Sequence, residues 1–168
     1  MQPPPHENES VTANNVRPGV ILAIEDNSED VELLRMILAR GSMPFDLISV
    51  PFAKDAIKYL GNIGEYADRS RFPRPVLIVL DLSLPGMGGM EFLTWARCEA
   101  DIPPIVILTY SRRSEDRDLS ARLGAKGYFV KSLDLKETAG MVESLRALVI
   151  PPIPLDATGA NGTSQELQ

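Results

Sequence analysis

Apolar residues gather in five short runs, at 20–25 (VILAIE), 45–50 (FDLISV), 76–81 (VLIVLD), 105–109 (IVILT) and 127–130 (GYFV). Runs of this length predict strands, and their continuous rather than alternating character predicts strands covered on both faces. Between them the apolar residues recur at helical spacing. Over 28–41 these are Val31, Leu34 and Leu38, with Glu29 and Asp30 suited to the first turn and Gly41 to the exit. Further helices are predicted over 53–64, 90–100, 114–124 with Gly124 as the stop, and 134–149. In the last of these Asp134 and Glu137 have capping-box spacing, and Val142, Leu145 and Val149 form the apolar stripe. Residues 65–75 read as a polar loop. Strand and helix alternating in this way predict an open, doubly wound α/β sheet of parallel strands.

The two ends break the pattern. Residues 1–18 and 151–168 are rich in Pro, Gly, Asn and Ser and lack hydrophobic periodicity, so they are expected to be disordered tails flanking a folded domain at 19–150. The only histidine, His6, lies in the first of them, which leaves no basis for a histidine-rich zinc site or a Ser-His-Asp triad.

Composition then narrows the partners. The 168 residues carry a formal charge of −6, with 44% hydrophobic residues. An acidic chain is a poor match for nucleic acid or an anionic membrane, and the apolar runs are far shorter than the ~20 residues a spanning helix needs. A single cysteine, Cys98, precludes an internal disulfide, and with no signal peptide legible the expected compartment is cytoplasmic. Trp95 and Cys98 read as packing residues of the 90–100 helix.

Chemistry concentrates at the strand ends, where ligands bind in sheets of this type. Glu25 and Asp26 follow the first strand, Asp81 ends the third, Thr109 ends the fourth and Lys131 follows the fifth. Asn27 and Ser28 are read as helix-capping residues. Asp81 closes an otherwise apolar run, and burying an unpaired carboxylate costs at least several kcal/mol, so it must reach solvent or meet a cation.

The motifs AIEDN, VLIVLDLSLPGMGG, IVILTYS and GYFVKS, in this order, resemble the receiver domain of two-component response regulators over residues 19–150. LDLSLPGMGG and the long segment before it are most similar to single-domain receivers paired with bacterial phytochrome kinases. The resemblance implies a flavodoxin-like (βα)5 fold with strand order 2-1-3-4-5. It implies Asp81 as phosphoacceptor, Mg²⁺ held by Glu25, Asp26, Asp81 and the backbone carbonyl of Ser83, and phosphoryl contacts from Thr109 and Lys131. Thr109 and Tyr128 would form the switch. The implied partners are a sensor histidine kinase, a downstream target or phosphotransfer protein, and a second copy of the chain. The protein would be a phosphoacceptor signalling component, catalysing only its own phosphotransfer and autodephosphorylation, rather than an enzyme acting on other substrates, with output through the face built from 114–124, 127–130 and 134–149.

Two positions depart from the family pattern. Ser132 stands where proline usually follows the lysine, and Tyr110 stands where a small residue usually follows the threonine, so that its ring can cover the site. These departures motivate an alternative, a receiver-shaped interaction module that no longer depends on phosphorylation. A haloacid-dehalogenase-type phosphatase would need an acid where Ser83 stands. A flavodoxin-like cofactor binder would need a phosphate-cradling loop where EDNSED is acidic.

Overall fold

The computed structural model describes residues 19–149, so both terminal segments, with His6 and Ile150, lie outside the described residues. Strands β1 (Gly19–Ile24), β2 (Phe45–Val50), β3 (Pro75–Leu80), β4 (Ile105–Thr109) and β5 (Gly127–Val130) form one parallel sheet in the order β2-β1-β3-β4-β5. Helices α1 (Ser28–Arg40), α2 (Ala53–Gly61), α3 (Gly89–Ala96), α4 (Ser114–Arg122) and α5 (Leu135–Val149) complete the doubly wound α/β arrangement.

Side-chain alternation along each strand divides the core between the two faces. Leu22, Ile24, Ile78, Leu80 and Ile107 pack with Ala56 and Tyr59 of α2 and Phe92 and Leu93 of α3. Ile21, Ala23, Leu77, Val79, Val106 and Leu108 pack on the other face with Leu34, Ile37 and Leu38 of α1 and Met141 and Leu145 of α5. Full burial of each such aliphatic side chain contributes about 1.5–3 kcal/mol. The strands therefore hold their carboxyl ends in fixed register, and that edge carries the polar residues.

Several local features differ from the sequence reading. Gly41 caps α1 with φ −75°, and the left-handed residue is Ser42 with φ 48°. What requires glycine at 41 is close approach: a Cβ there would lie 2.4 Å from Val142 Cγ1 of α5. Gly124, at φ 100°, does end α4 as its sequence position suggests. Helix α3 stops at Ala96, leaving Cys98 beyond it and exposed, while Trp95 packs on Phe92 with ring centroids 5.3 Å apart. Met141, absent from the predicted stripe of α5, is buried more deeply than Val142.

The polar loop expected between α2 and β3 is there, mostly exposed, and it also holds an aromatic clasp. Tyr59, Tyr66 and Phe72 stack on one another with centroids 5.1–5.9 Å apart, and Tyr59 Oη donates to the Pro73 carbonyl at 2.8 Å. Arg69 donates to the carbonyls of Tyr59, Leu60 and Phe72. Its guanidinium thus ties the last turn of α2, where the Tyr59 carbonyl also accepts from the Asn62 N–H, to the loop at Phe72.

Candidate phosphoacceptor site

Asp81 is the first residue beyond β3, and its backbone N–H still donates to Ile24 of β1 at 3.1 Å, which keeps the carboxylate at the sheet edge. The loop after it turns through Pro85 and Gly86 into α3, where Gly89 N–H donates to the Leu82 carbonyl at 3.2 Å. The Asp81 side chain is 6% exposed. It meets a cation, Lys131 Nζ, at 3.1 Å from Oδ2. Oδ1 is buried with no hydrogen-bond partner among the described residues. A buried acceptor left unpaired costs about 1–3 kcal/mol, and in a strand-end cluster of acids it marks a place for a ligand.

Glu25 and Asp26 follow β1 directly. One ligand oxygen from each of Glu25, Asp26 and Asp81 lies within 4.8 Å of the others. Asp26 is exposed and Glu25 almost covered. Burial pushes the Glu25 carboxyl up from its ordinary value, against the opposing hydrogen bonds from Lys131 and the Asn27 N–H. Three oxygen donors converging beside an unpaired buried oxygen fit a hard divalent cation, which takes carboxylates and completes its shell with water.

Lys131 lies just past β5, its N–H donating to the Thr109 carbonyl at 2.8 Å. Its Nζ is shared by Glu25 Oε2 at 2.7 Å, Asp30 Oδ2 at 2.8 Å and Asp81 Oδ2 at 3.1 Å. Burial alone would lower the lysine's proton affinity, but the hydrogen bonds to Asp30 and Glu25 and the charge of Asp81 outweigh it and raise it above the ordinary value.

Thr109 is fully buried at the end of β4, and its Oγ1 accepts from the Ser111 N–H at 3.4 Å. Ser111 connects onward: its Oγ donates to Asp116 Oδ2 at 2.5 Å, and its carbonyl accepts from Tyr128 Oη at 3.0 Å. Tyr128 is half-buried, with the Arg117 guanidinium of α4 5.1 Å above its ring. Ser83 is exposed, two residues beyond Asp81. Asn27 caps α1 as its sequence position suggests, Oδ1 accepting from Glu29 N–H at 2.8 Å and Asp30 N–H at 3.4 Å.

The family model for the response regulator receiver domain matches residues 21–143. The chain belongs to this family. Among curated proteins this receiver is similar to response regulator Rcp1 of Synechocystis sp., at 33% identity over 142 residues, covering 83% of this chain and 95% of that protein. Among solved structures it is similar to the phosphorylated cyanobacterial phytochrome response regulator RcpA, at 30% identity and TM-score 0.68, covering 80% of this chain and 95% of that one. It is also similar to the Mn²⁺-bound form of Rcp1, at 33% identity and TM-score 0.66, covering 82% and 99%.

Two residues of the receiver's site escaped the sequence reading in part or whole. Asp30, in the first turn of α1, was expected only as a favourable charge at a helix start, yet it is buried and pairs with Lys131 101 residues away. Its position one turn beyond Asp26 was the available hint. Tyr110 was expected to cover the site, and its ring centroid does lie 4.9 Å from Lys131 Nζ. Its hydroxyl reaches further, donating to Asp30 Oδ1 at 2.7 Å, and this bond raises the phenol above its ordinary proton affinity. All peptide bonds among the described residues are trans, including the one between Lys131 and Ser132.

Proposed function

We propose that this receiver accepts a phosphoryl group onto Asp81 from a histidine kinase, with Mg²⁺, and passes the signal on by protein contact. The observation that carries this is the Asp81 carboxylate, buried at a strand end with Oδ2 on Lys131 and Oδ1 unpartnered, beside Glu25 and Asp26. Phosphoryl transfer asks for positioning and charge neutralisation more than for covalent help, and this is what the site offers.

In the step, an Asp81 oxygen bonds to phosphorus while the bond from phosphorus to the donor imidazole nitrogen breaks and leaves its electron pair on that nitrogen. Lys131 offsets negative charge on the transferred group, and the Thr109 hydroxyl donates to one of its oxygens. Asp26 and Asp81 would hold Mg²⁺ directly, Glu25 through water, with the Ser83 carbonyl as a further ligand. When bound, the ion supplies positive charge to the phosphoryl oxygens. The likeness to Rcp1 and RcpA favours a phytochrome-type kinase as donor.

Output would leave by the face of α4, β5 and α5. Thr109, Ser111 and Tyr128 form a hydrogen-bonded chain from the phosphoacceptor edge to that face, and α4 is the helix with a single buried residue, Ser120. A downstream protein, a phosphotransfer protein or a second copy of the chain would dock there.

Acetyl phosphate with Mg²⁺, read on a phosphate-affinity gel, tests the reading. A shifted band for the native chain and none for Asp81→Asn is the expected result. Persistent, acid-stable label on Asp81→Asn would instead point to Ser83 or Thr109 as acceptor.

A further inference from the structure

The geometry points to Asp30 as a positioning residue for Lys131, locked in place by Tyr110. An ammonium has three donor hydrogens. Here they are directed at Glu25, Asp30 and Asp81, and the Asp81 contact is the longest of the three. Glu25 and Asp81 also belong to the group of acids whose oxygens converge within 4.8 Å, whereas Asp30 does not. A cation drawn to that group competes with the lysine for Glu25 and Asp81 but leaves Asp30 to it. Of these three acceptors Asp30 is therefore the one that a cation in that group would not draw away from Lys131.

Asp30 is itself held at both oxygens, Oδ2 by Lys131 and Oδ1 by Tyr110 Oη. Its backbone N–H is tied to the Asn27 cap. Tyr110 completes the arrangement from above. Its ring lies over the ammonium, so the Lys131 side chain is 1% exposed although Tyr110 itself is 63% exposed. Hydrogen bond and ring together fix the ammonium on the α1 side, leaving its third hydrogen aimed at whatever Asp81 carries. Neither Asp30 nor Tyr110 touches a reacting atom in this scheme; they act through the lysine. The inference rests on the reading of Asp81 as phosphoacceptor.

The test has a spectroscopic arm and a kinetic arm, both on the full chain. In ¹⁵N-lysine-labelled protein the Lys131 ammonium, assigned by its loss in Lys131→Arg, should exchange its hydrogens slowly with water, with or without Mg²⁺. In Asp30→Asn that protection should be lost, and in Tyr110→Phe, which keeps the ring, it should be partly lost. By analogy with partners that orient metal ligands, whose loss typically costs 10–100-fold, Asp30→Asn should lower the maximal rate of labelling at saturating acetyl phosphate by about tenfold or more. The half-saturating concentrations of acetyl phosphate and Mg²⁺ should change little, and adding Tyr110→Phe to Asp30→Asn should cost nothing more, because the two act as a unit.

A folded Asp30→Asn chain with native ammonium protection, or with the native maximal rate, overturns the inference. Should Asp30→Asn fail to fold, Tyr110→Phe decides: unchanged lysine exchange with an unchanged rate has the same force. If the native chain is not labelled at all, the phosphoacceptor reading fails instead, and the ammonium exchange still decides whether Asp30 and Tyr110 hold the lysine.

Discussion

Gly89 lies so close under the backbone of Asp81 that a Cβ at 89 would come within 2.3 Å of the Asp81 carbonyl oxygen and 2.7 Å of Leu82 Cα. The first residue of α3 and the proposed acceptor are thus in direct steric register. Alanine at 89 would gain about 0.8–1.0 kcal/mol of helix propensity, but forcing a methyl against backbone costs roughly 1–3 kcal/mol, so the clash should win. Gly89→Ala is expected to lower the urea midpoint and to slow labelling by acetyl phosphate together. An unchanged midpoint would show that the loop yields freely.

Among the described residues Lys131 is the sole cation paired with the three nearly buried carboxylates Glu25, Asp30 and Asp81. Removing one member of a buried ionic cluster costs roughly 3–5 kcal/mol, because the remaining charges lose their partner, and Lys131→Met should be destabilised by that order at neutral pH. The folded lysine binds its proton more tightly than the ordinary 10.5, so its contribution is complete below that pH and is lost only as pH rises through the higher folded value. In the variant the Glu25 carboxyl, already pushed up by burial and now without the lysine, takes up a proton on acidification. The stability gap between native and Lys131→Met chains should therefore narrow towards the carboxylate range, as denaturant titrations at several pH values would measure. A gap that widens on acidification would contradict this.

Asp26 is exposed and takes no part in the lysine cluster, which isolates its effect on metal. Asp26→Asn should keep the thermal midpoint or raise it slightly, since it removes a like charge beside Glu25 and Asp81. It should abolish the Mg²⁺-dependent part of labelling. Calorimetric titration with Mg²⁺ and the gel assay would report the two halves, and full labelling by the variant would remove Asp26 from the ligand set.

Tyr128→Phe deletes the bond from the phenol to the Ser111 carbonyl while leaving the ring under Arg117. The expected loss is about 0.5–1.5 kcal/mol, with labelling at Asp81 unchanged. Amide exchange should quicken across 111–131 and little elsewhere. Slower labelling without faster exchange would place Tyr128 in the phosphoryl site rather than on the route out of it.

The strands, the two-faced core and the clustering of Glu25, Asp26, Asp81 and Lys131 were legible because each follows from a local signal: an apolar run, a helical spacing, a charge at a strand end. The order of the strands came instead from the resemblance to receiver domains. Asp30 carried no such signal. In sequence it is one more acid in a helical first turn, and only the crossing of β5 beside β4 brings Lys131 and Tyr110 to it, across 101 and 80 residues. Gly41 was legible as the end of α1 but for the wrong reason, since the packing of Val142 is a contact between distant elements. The loop at 65–75 was legible but its clasp was not, because its charged residues outnumber Tyr66 and Phe72, which stack, and because Arg69 points inward to carbonyls rather than outward to water.

The aromatic clasp also makes the molecule mechanically lopsided. Beyond β1 and β2, helix α2 is cemented by three stacked rings and an arginine that grips its last carbonyls. Beyond β4 and β5, helix α4 buries a single residue, Ser120, and is otherwise held by the Ser111–Asp116 hydrogen bond and by Arg117 over the Tyr128 ring. A push delivered at the middle of the sheet, where Asp81 stands, would meet a stiff wall on one flank and a slacker one on the other. Displacement would then run towards the slacker flank, its direction set by what refuses to move.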